Sequence, residues 1–138
     1  MEEVLWANCS DGCVERVQEL LQDPQINTNW QDPEYSKTPL YAACRYGNIE
    51  VVRLLLNDKR VDVNKAKWDG VTPFYIACRE GYVEIVKLLL NDKRISIKKK
   101  DNYGKIAIDI AKANNHSEIV KLIKEFDTSN QYTFNTIN

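Results

Sequence analysis

The sequence predicts an all-α solenoid, a stack of helix-turn-helix units whose connecting turns project as β-turns or short hairpins. A repeat carries this prediction: TPLYAACRYGNIEVVRLLL at 38–56 returns 34 residues later as TPFYIACREGYVEIVKLLL at 72–90. The connectors NDKRVDVN at 57–64 and NDKRISIK at 91–98 keep the same offset. Units of this length cannot bury an apolar face alone, and they form a continuous core by stacking.

Two weaker copies extend the array in both directions. IAIDIAKANNHSEIVKLIK follows at 106–124, and LWANCSDGCVERVQELL precedes the central copies at 5–21. We therefore predict a single domain, 1–126, and a polar, non-periodic tail, 127–138, which we expect to be loosely ordered. The four units of the domain span approximately 1–30, 31–66, 67–100 and 101–126.

Each central unit has the signals of two short helices. In unit 2 the Thr38 hydroxyl is placed to cap a helix that starts at Pro39, where a missing N–H costs nothing. Gly47 ends this helix because it readily takes the left-handed conformation. A second helix, 49–56, is apolar over too wide an arc for an exposed helix and needs neighbours on more than one side. Asp69-Gly70 predicts a tight turn between units.

TPLYAACRYG and TPFYIACREG, each followed by a VVxLLL or IVxLLL helix, resemble ankyrin repeats, as does DVN at 62–64. The resemblance spans residues 1 to about 125 and is most specific in the two central units. Tyr41 and Tyr75 depart from it, since the family usually has His there, and we expect their hydroxyls to link adjacent turns. Unit 4 lacks the Thr-Pro cap, having Ile106-Ala107 instead.

Polar residues replace apolar ones in the two end units. Arg16 and Glu19 stand in unit 1 where later units have apolar residues, and Lys112 and Lys124 do so in unit 4. End units have no outer neighbour to bury such positions. We therefore expect a complete array that caps itself at both ends.

The composition restricts the class of protein. The 138 residues include 19 basic and 20 acidic ones, a net charge of −1, with 43% hydrophobic residues. This balance gives no general attraction to nucleic acid or to anionic membranes. The acidic start is unlike a signal peptide, and no apolar run reaches the roughly 20 residues of a membrane helix. We expect a soluble, cytoplasmic protein with reduced cysteines, the nucleus being an alternative compartment.

Candidate catalytic and metal-binding side chains are few. Cys9, Cys44 and Cys78 occupy one equivalent position, which predicts a small apolar residue packed between neighbouring first helices. One repeat step separates these thiols by roughly 10 Å, too far to share a metal. His116, the single histidine, has no nucleophile motif beside it. We therefore predict no metal site, no cofactor and no catalysis.

Basic residues cluster near the unit ends, at Lys59-Arg60, at Lys93-Arg94 and at 98–100. A ladder of cations is able to follow phosphates, which leaves nucleic-acid binding as an alternative function. Acidic neighbours such as Asp58 and Asp92 favour a solvated edge instead. We expect no nucleic-acid partner and no membrane partner.

The resemblance implies that the projecting turns and the exposed side of the first helices form a concave groove that binds another protein. Tyr, Trp and Arg, the types enriched at binding hot spots, recur there. Carried over position by position, the predicted partner-binding residues are Tyr35, Lys37, Arg45, Tyr46, Trp68, Asp69, Val71, Arg79, Glu80, Asn102, Tyr103 and Lys105.

The function that we predict is non-catalytic recognition of a partner protein by a monomeric scaffold. Inhibition of an enzyme is an alternative, because a short array resembles in size and build the ankyrin-type inhibitors of cyclin-dependent kinases. Self-association through an incomplete end unit is a further alternative.

Overall fold

The computed structural model describes the backbone of residues 1–137 and the side chains of residues 1–130. These residues form eight α-helices and no β-strand, as the repeat predicts. Odd-numbered helices are the first helices of the four units, and even-numbered helices are the second. The helices are α1 Glu2–Asp11, α2 Val14–Leu21, α3 Pro39–Arg45, α4 Ile49–Leu56, α5 Pro73–Glu80, α6 Val83–Leu90, α7 Ala107–Ala113 and α8 Ser117–Ile137.

The predicted Thr-Pro caps are confirmed in both central units. The Thr38 hydroxyl accepts a 3.0 Å hydrogen bond from the Tyr41 N–H, and α3 begins at Pro39. Thr72 makes the same bond at the start of α5. Because both threonines are buried, each hydroxyl satisfies an N–H that water would not reach.

Unit 4 starts its first helix in another way. A carboxylate oxygen of Asp109, in the first turn of α7, reaches back and accepts a 3.0 Å hydrogen bond from the Ile106 N–H. An acidic residue there also interacts favourably with the helix dipole. Asn115 (φ +61°) takes the left-handed position that Gly47 and Gly81 hold in the central units. The weaker fourth copy therefore keeps the same geometry with different residues.

The cysteine row is part of the core, as predicted. Cys9, Cys44 and Cys78 are fully buried on α1, α3 and α5, the first helices that pack on one another along the stack. Burial raises the pKa of the Cys9 thiol to about 12 and raises those of the other two further. These thiols are protonated and packed, whereas Cys13, between α1 and α2, is exposed.

The polar residues of the end units lie in solvent, as predicted. Arg16 and Glu19 are exposed and form a 2.9 Å ion pair on α2. Lys112 and Lys124 are exposed on α7 and α8. All four side chains are therefore in contact with solvent rather than packed in the core.

The predicted boundary at residue 126 between the domain and a loosely ordered tail falls inside a helix, and the loose order of the tail stays a prediction. Helix α8 does not end at residue 126 but continues to Ile137. The chain has no Gly or Pro after Gly104 to stop it. Phe126 is half-buried, and Asp127 lies 3.3 Å from the Lys98 ammonium, so both residues hold this part of the helix against unit 3. The tail side chains from 131 lie outside the described residues.

The repeated Asp-Lys-Arg connectors join neighbouring units. Asp92 receives two hydrogen bonds from the Arg94 guanidinium (3.0 and 2.8 Å), which holds the pKa of that carboxyl below its usual range. The same guanidinium donates to the carbonyl oxygens of Leu56 (2.8 Å) and Val61 (3.0 Å) in unit 2. Helix α4 ends at Leu56, so this arginine satisfies a carbonyl left free at a helix C-terminus.

Arg60 repeats this arrangement one unit earlier. It pairs with Asp58 and donates to the carbonyl oxygens of Leu21 and Asp23 at the end of α2. We call the connectors 57–64 and 91–98 the connector edge. The sequence pattern identified both arginines as charged side chains but did not reveal that they donate hydrogen bonds to the preceding unit.

Two asparagines, one in unit 1 and one in unit 2, bind the backbone of the connector edge. The Asn64 amide donates to the Arg94 carbonyl oxygen (2.8 Å), and its side-chain oxygen accepts from the Ser96 N–H (2.8 Å). Asn29 does the same to Arg60 and Asp62. Each asparagine therefore binds one backbone carbonyl oxygen and one backbone N–H group of the following connector.

A third set of contacts joins adjacent units. It runs from the short link between the two helices of one unit to the end of the first helix in the preceding unit. The Asn48 amide donates to the carbonyl oxygens of Cys9 and Ser10 (both 2.8 Å). A ring nitrogen of His116, the equivalent residue of unit 4, lies 2.9 Å from the carbonyl oxygen of Arg79. These bonds fix the register of adjacent units and give His116 a structural contact.

Candidate partner-binding surface

Three turns project from the stack, at 32–37, 67–71 and 101–105, each closed by a backbone hydrogen bond. The Lys67 N–H donates to the Val71 carbonyl oxygen at 2.9 Å, and equivalent bonds close the other two turns. Gly70, at φ +86°, has the conformation that the Asp69-Gly70 signal predicted. Ser36 (φ +61°) stands in the place of that glycine in the first turn, which is one residue longer.

Backbone hydrogen bonds also join the turns to one another. The Trp68 N–H donates to the Tyr35 carbonyl oxygen (3.3 Å), and the Asn102 N–H donates to the Asp69 carbonyl oxygen (2.9 Å). The three turns therefore form one continuous row. We call this row, together with the exposed side of α1, α3, α5 and α7, the turn surface.

Aspartates hold the first and third turns from within. Asp32 accepts hydrogen bonds from the N–H groups of Tyr35 and Lys37 at 2.9 and 2.6 Å. Asp101 accepts from the N–H groups of Tyr103 and Lys105 at 2.8 and 2.9 Å. These backbone donors occupy both carboxylates and leave the side chains at the tips free to point outward.

The middle turn uses an ion pair instead. Lys67 occupies the position of those aspartates, and its ammonium lies 2.9 Å from the Asp69 carboxylate. Asp69 also accepts from the Val71 N–H at 3.2 Å. The predicted binding residue Asp69 therefore has a structural role within its own turn.

Each turn overhangs the first helix of the preceding unit. The Tyr75 hydroxyl on α5 donates to Asp101 at 2.8 Å, as predicted. Burial, and secondarily this bond, raises the pKa of Tyr75 to about 12. Among the described residues Tyr41 makes no such bond, so the prediction is wrong there: Lys67 stands opposite, with its ammonium 5.8 Å from the Tyr41 ring centre.

Four aromatic side chains are exposed on the turn surface. The exposed fractions are 41% for Tyr35, 54% for Tyr46, 64% for Trp68 and 86% for Tyr103. Three of them lie on the three successive turns, and Tyr46 lies at the end of α3. Such a row leaves much apolar area in water, which is typical of interaction sites.

Cations lie close to three of these rings. The Lys37 ammonium lies 4.6 Å from the centre of the Tyr35 ring, and Lys67 lies 5.8 Å from that of Trp68. The Arg45 guanidinium lies 5.5 Å from the Tyr46 ring. Contacts of this kind restrict the rings before a partner arrives, because the ring faces attract the cations.

Two arginines share one carboxylate on the first helices. Glu80 lies 3.3 Å from Arg45 of the preceding unit and 3.5 Å from its neighbour Arg79. The cluster joins α3 to α5 and has a net charge of +1. The structure thus brings these three predicted residues together.

Val71 does not belong to the site. It is only 5% exposed and lies in the hydrophobic core, so its prediction as a partner-binding residue is wrong. The flanking turns have Lys37 and Lys105 at this position, next to the cap residue. The change from lysine to valine was the available signal that this position turns inward in the middle unit.

The other predicted residues lie on the turn surface, where their role in binding stays a prediction. Asn102 is exposed and also donates from its amide to the Trp68 carbonyl oxygen (3.3 Å). The residues concerned are Tyr35, Lys37, Arg45, Tyr46, Trp68, Asp69, Arg79, Glu80, Asn102, Tyr103 and Lys105.

The described residues contain no group of three or more His, Cys, Asp or Glu side chains placed to hold a metal ion. None of their helices is long and apolar enough to cross a bilayer.

The family model for ankyrin repeats, which describes three copies, matches this chain over residues 4–101 and again over 60–133. The matched stretches include all four units and therefore nearly the whole sequence. The observed helix pairs, Thr-Pro caps and projecting turns lie within them. The chain belongs to the ankyrin repeat family.

Proposed function

We propose that this protein recognises a partner protein through the turn surface, without catalysis. Ankyrin repeats are generally protein–protein interaction modules, and that is the family-level part of the assignment. Fold alone does not fix a function, so the residues of the site have to supply the rest. The observation that carries the proposal is the row of Tyr35, Trp68 and Tyr103, exposed on three successive turns.

Binding through this row would use apolar area that is already in place. The turns are joined by backbone hydrogen bonds, and each is closed internally, so little backbone entropy is lost when a partner binds. Tyrosine and tryptophan lose few rotamers for the area that they bury. The arginines near Tyr46 add charged hydrogen bonds around the aromatic residues.

The connector edge is a weaker candidate for a binding site. Arg60 and Arg94, two of the four cations that recur there beside Lys59 and Lys93, already donate to carbonyl oxygens of the preceding unit. Fewer charges are therefore free to neutralise phosphates, which is what nucleic-acid affinity depends on. This favours a protein partner over a nucleic acid.

Capture from native cell extract tests the proposal. The bait is the whole chain, compared with a Tyr46→Ala/Trp68→Ala/Arg79→Ala variant whose helical melting curve matches wild type. A matched control carries Arg53→Ala/Lys87→Ala/Lys121→Ala on the exposed side of the second helices. We expect a protein that wild type and control retain and the turn-surface variant loses. Equal capture by all three would contradict the proposal.

A further inference from the structure

Each of three carboxylates on the C-terminal half of the turn surface accepts at least one bond from within the protein. Asp101 accepts two backbone N–H groups and the Tyr75 hydroxyl. Burial opposes its ionisation, but these hydrogen bonds outweigh that effect and keep the pKa of Asp101 below its usual range. Glu80 is shared by two arginines, and Asp109 accepts the Ile106 N–H. A cation from a partner would therefore compete with bonds already made at Asp101 and Glu80, whereas Asp109 uses only one of its two carboxylate oxygens.

The cations of this half are less fully paired. Arg45 and Arg79 have one carboxylate between them. Lys105 is exposed, and among the described residues its ammonium has no carboxylate within ion-pair distance. Lys105 is therefore a cation of this half that makes no ion pair with the described residues, although the charge of the whole chain is −1.

A small cleft opens beside Lys105. Its volume is about 160 Å³, and it lies between the third turn and α7. Its lining combines the Tyr75 ring, Ile110 and Ala113 with the polar groups of Lys105 and Asp109. An opening of this size is suited to one apolar side chain, and the exposed Tyr103 lies two residues before Lys105 on the same turn.

We propose that the cleft is an anchor pocket for an apolar side chain of the partner, and that an Asp or Glu beside that side chain pairs with Lys105. The inference rests on the proposed function and names the chemistry of the partner: an acidic segment with at least one apolar anchor. Carboxylates recognised by ammonium and guanidinium groups make stronger, charge-assisted hydrogen bonds. A basic segment would instead meet the unpaired Lys105 ammonium at short range, which is unfavourable.

Selection from a peptide library tests this chemistry directly. Random peptides of about twelve residues, long enough to cross the turns when extended, are displayed on phage and selected on the full-length protein. We expect the retained peptides to gain Asp and Glu next to Leu, Ile, Val or Phe relative to the input library. A pool that gains Lys and Arg, or one without enrichment, would overturn the inference.

Variants locate the binding of the best retained peptide. Lys105→Glu should weaken it by about tenfold or more, because the reversed charge faces a carboxylate. Ala113→Phe, which fills the cleft, should weaken it as well. Lys93→Glu makes the same charge change on the connector edge and should leave the affinity unchanged. Equal effects of Lys93→Glu and Lys105→Glu, or no effect of Ala113→Phe, would count against the pocket.

The two proposals fail in different ways. If the turn surface captures a native protein while the selected peptides are basic, the anchor pocket is wrong and the proposed function stands. If capture does not depend on the turn surface, the proposed function itself is wrong.

Discussion

The connector edge and the turn surface differ in how far their residues repeat from one unit to the next. On the connector edge the same residues return in consecutive units: Asp92-Lys93-Arg94 repeats Asp58-Lys59-Arg60, and each arginine makes the same bonds to the preceding unit. On the turn surface the tips differ, with tyrosine in the first and third turns and Trp68 in the middle one. Residues that are repeated hold the units together, whereas residues that differ are free to recognise something outside.

A substitution in the core, between the connector edge and the turn surface, should have the largest effect on the free energy of unfolding. Cys78→Asp puts a carboxylate into a fully buried position and should lower the free energy of unfolding by about 3–5 kcal/mol. Cys13→Asp, at an exposed cysteine, should change it by less than about 0.5 kcal/mol. Urea denaturation followed by circular dichroism measures both. Similar losses for the two variants would mean that the cysteine row does not pack as described.

Alkaline pH tests the same row without a mutation. The pKa of Cys9 is raised to about 12, while a thiol in an unfolded chain has a pKa of about 8.5. A raised pKa adds stability that is complete below the unfolded pKa and is lost as the pH rises toward the folded one. The melting temperature under reducing conditions should therefore fall from about pH 9 upward. Cys44→Ala should make this fall shallower, and an unchanged slope would contradict the assignment.

The connector edge should contribute more to stability than its exposure suggests. Arg94→Ala removes charged hydrogen bonds to the Leu56 and Val61 carbonyl oxygens and should cost about 2 kcal/mol. Lys93→Ala, beside it and exposed, should cost almost nothing. Chemical denaturation of the two variants compares them. If Lys93→Ala costs as much as Arg94→Ala, the bonds across the connector edge are not what stabilises the stack.

Substitution of Thr28 should increase the stability of the protein. It is buried where unit 2 has Val63, and its hydroxyl makes no hydrogen bond to the described residues. Thr28→Val removes this unmet group at nearly constant shape and should stabilise by about 1 kcal/mol. Thr38→Val should instead destabilise by about 1 kcal/mol, because Thr38 caps α3. The same sign for both changes would disprove this distinction.

The smallest effect on stability is expected on the turn surface. Trp68→Ala removes a side chain that is 64% exposed and should change the free energy of unfolding by less than about 0.5 kcal/mol. Binding of the captured partner should fall by about tenfold or more, as for an aromatic hot spot. A large drop in melting temperature would make Trp68 a structural residue instead.

Local signals predicted most of the fold. Thr38-Pro39 and Thr72-Pro73 defined the starts of α3 and α5, because caps depend on residues only a few positions away. The continuation of α8 beyond residue 126 was missed although the chain has no Gly or Pro there to end a helix. The contact of Asp127 with Lys98, nearly a unit earlier in the chain, is not contained in a local pattern. Asp109 was missed because an acidic residue inside a helix has other uses besides capping.

The site was predictable by position but not in detail. The repeat places the turn tips side by side, so exposed aromatic residues there could be named from their register. The inward turn of Val71, the sharing of Glu80 by two arginines and the cleft beside Lys105 depend on how adjacent units pack. A pattern within one unit does not contain these contacts.

The most direct test asks whether the turn surface touches the partner. A photoreactive phenylalanine derivative replaces Tyr103 on the turn surface in one protein and Lys87, exposed on α6, in another. Both are irradiated in native extract, and cross-linked adducts are compared by mass. We predict an adduct from the Tyr103 position only. Adducts from the Lys87 position alone, or equal adducts from both, would contradict the assignment of partner binding to the turn surface.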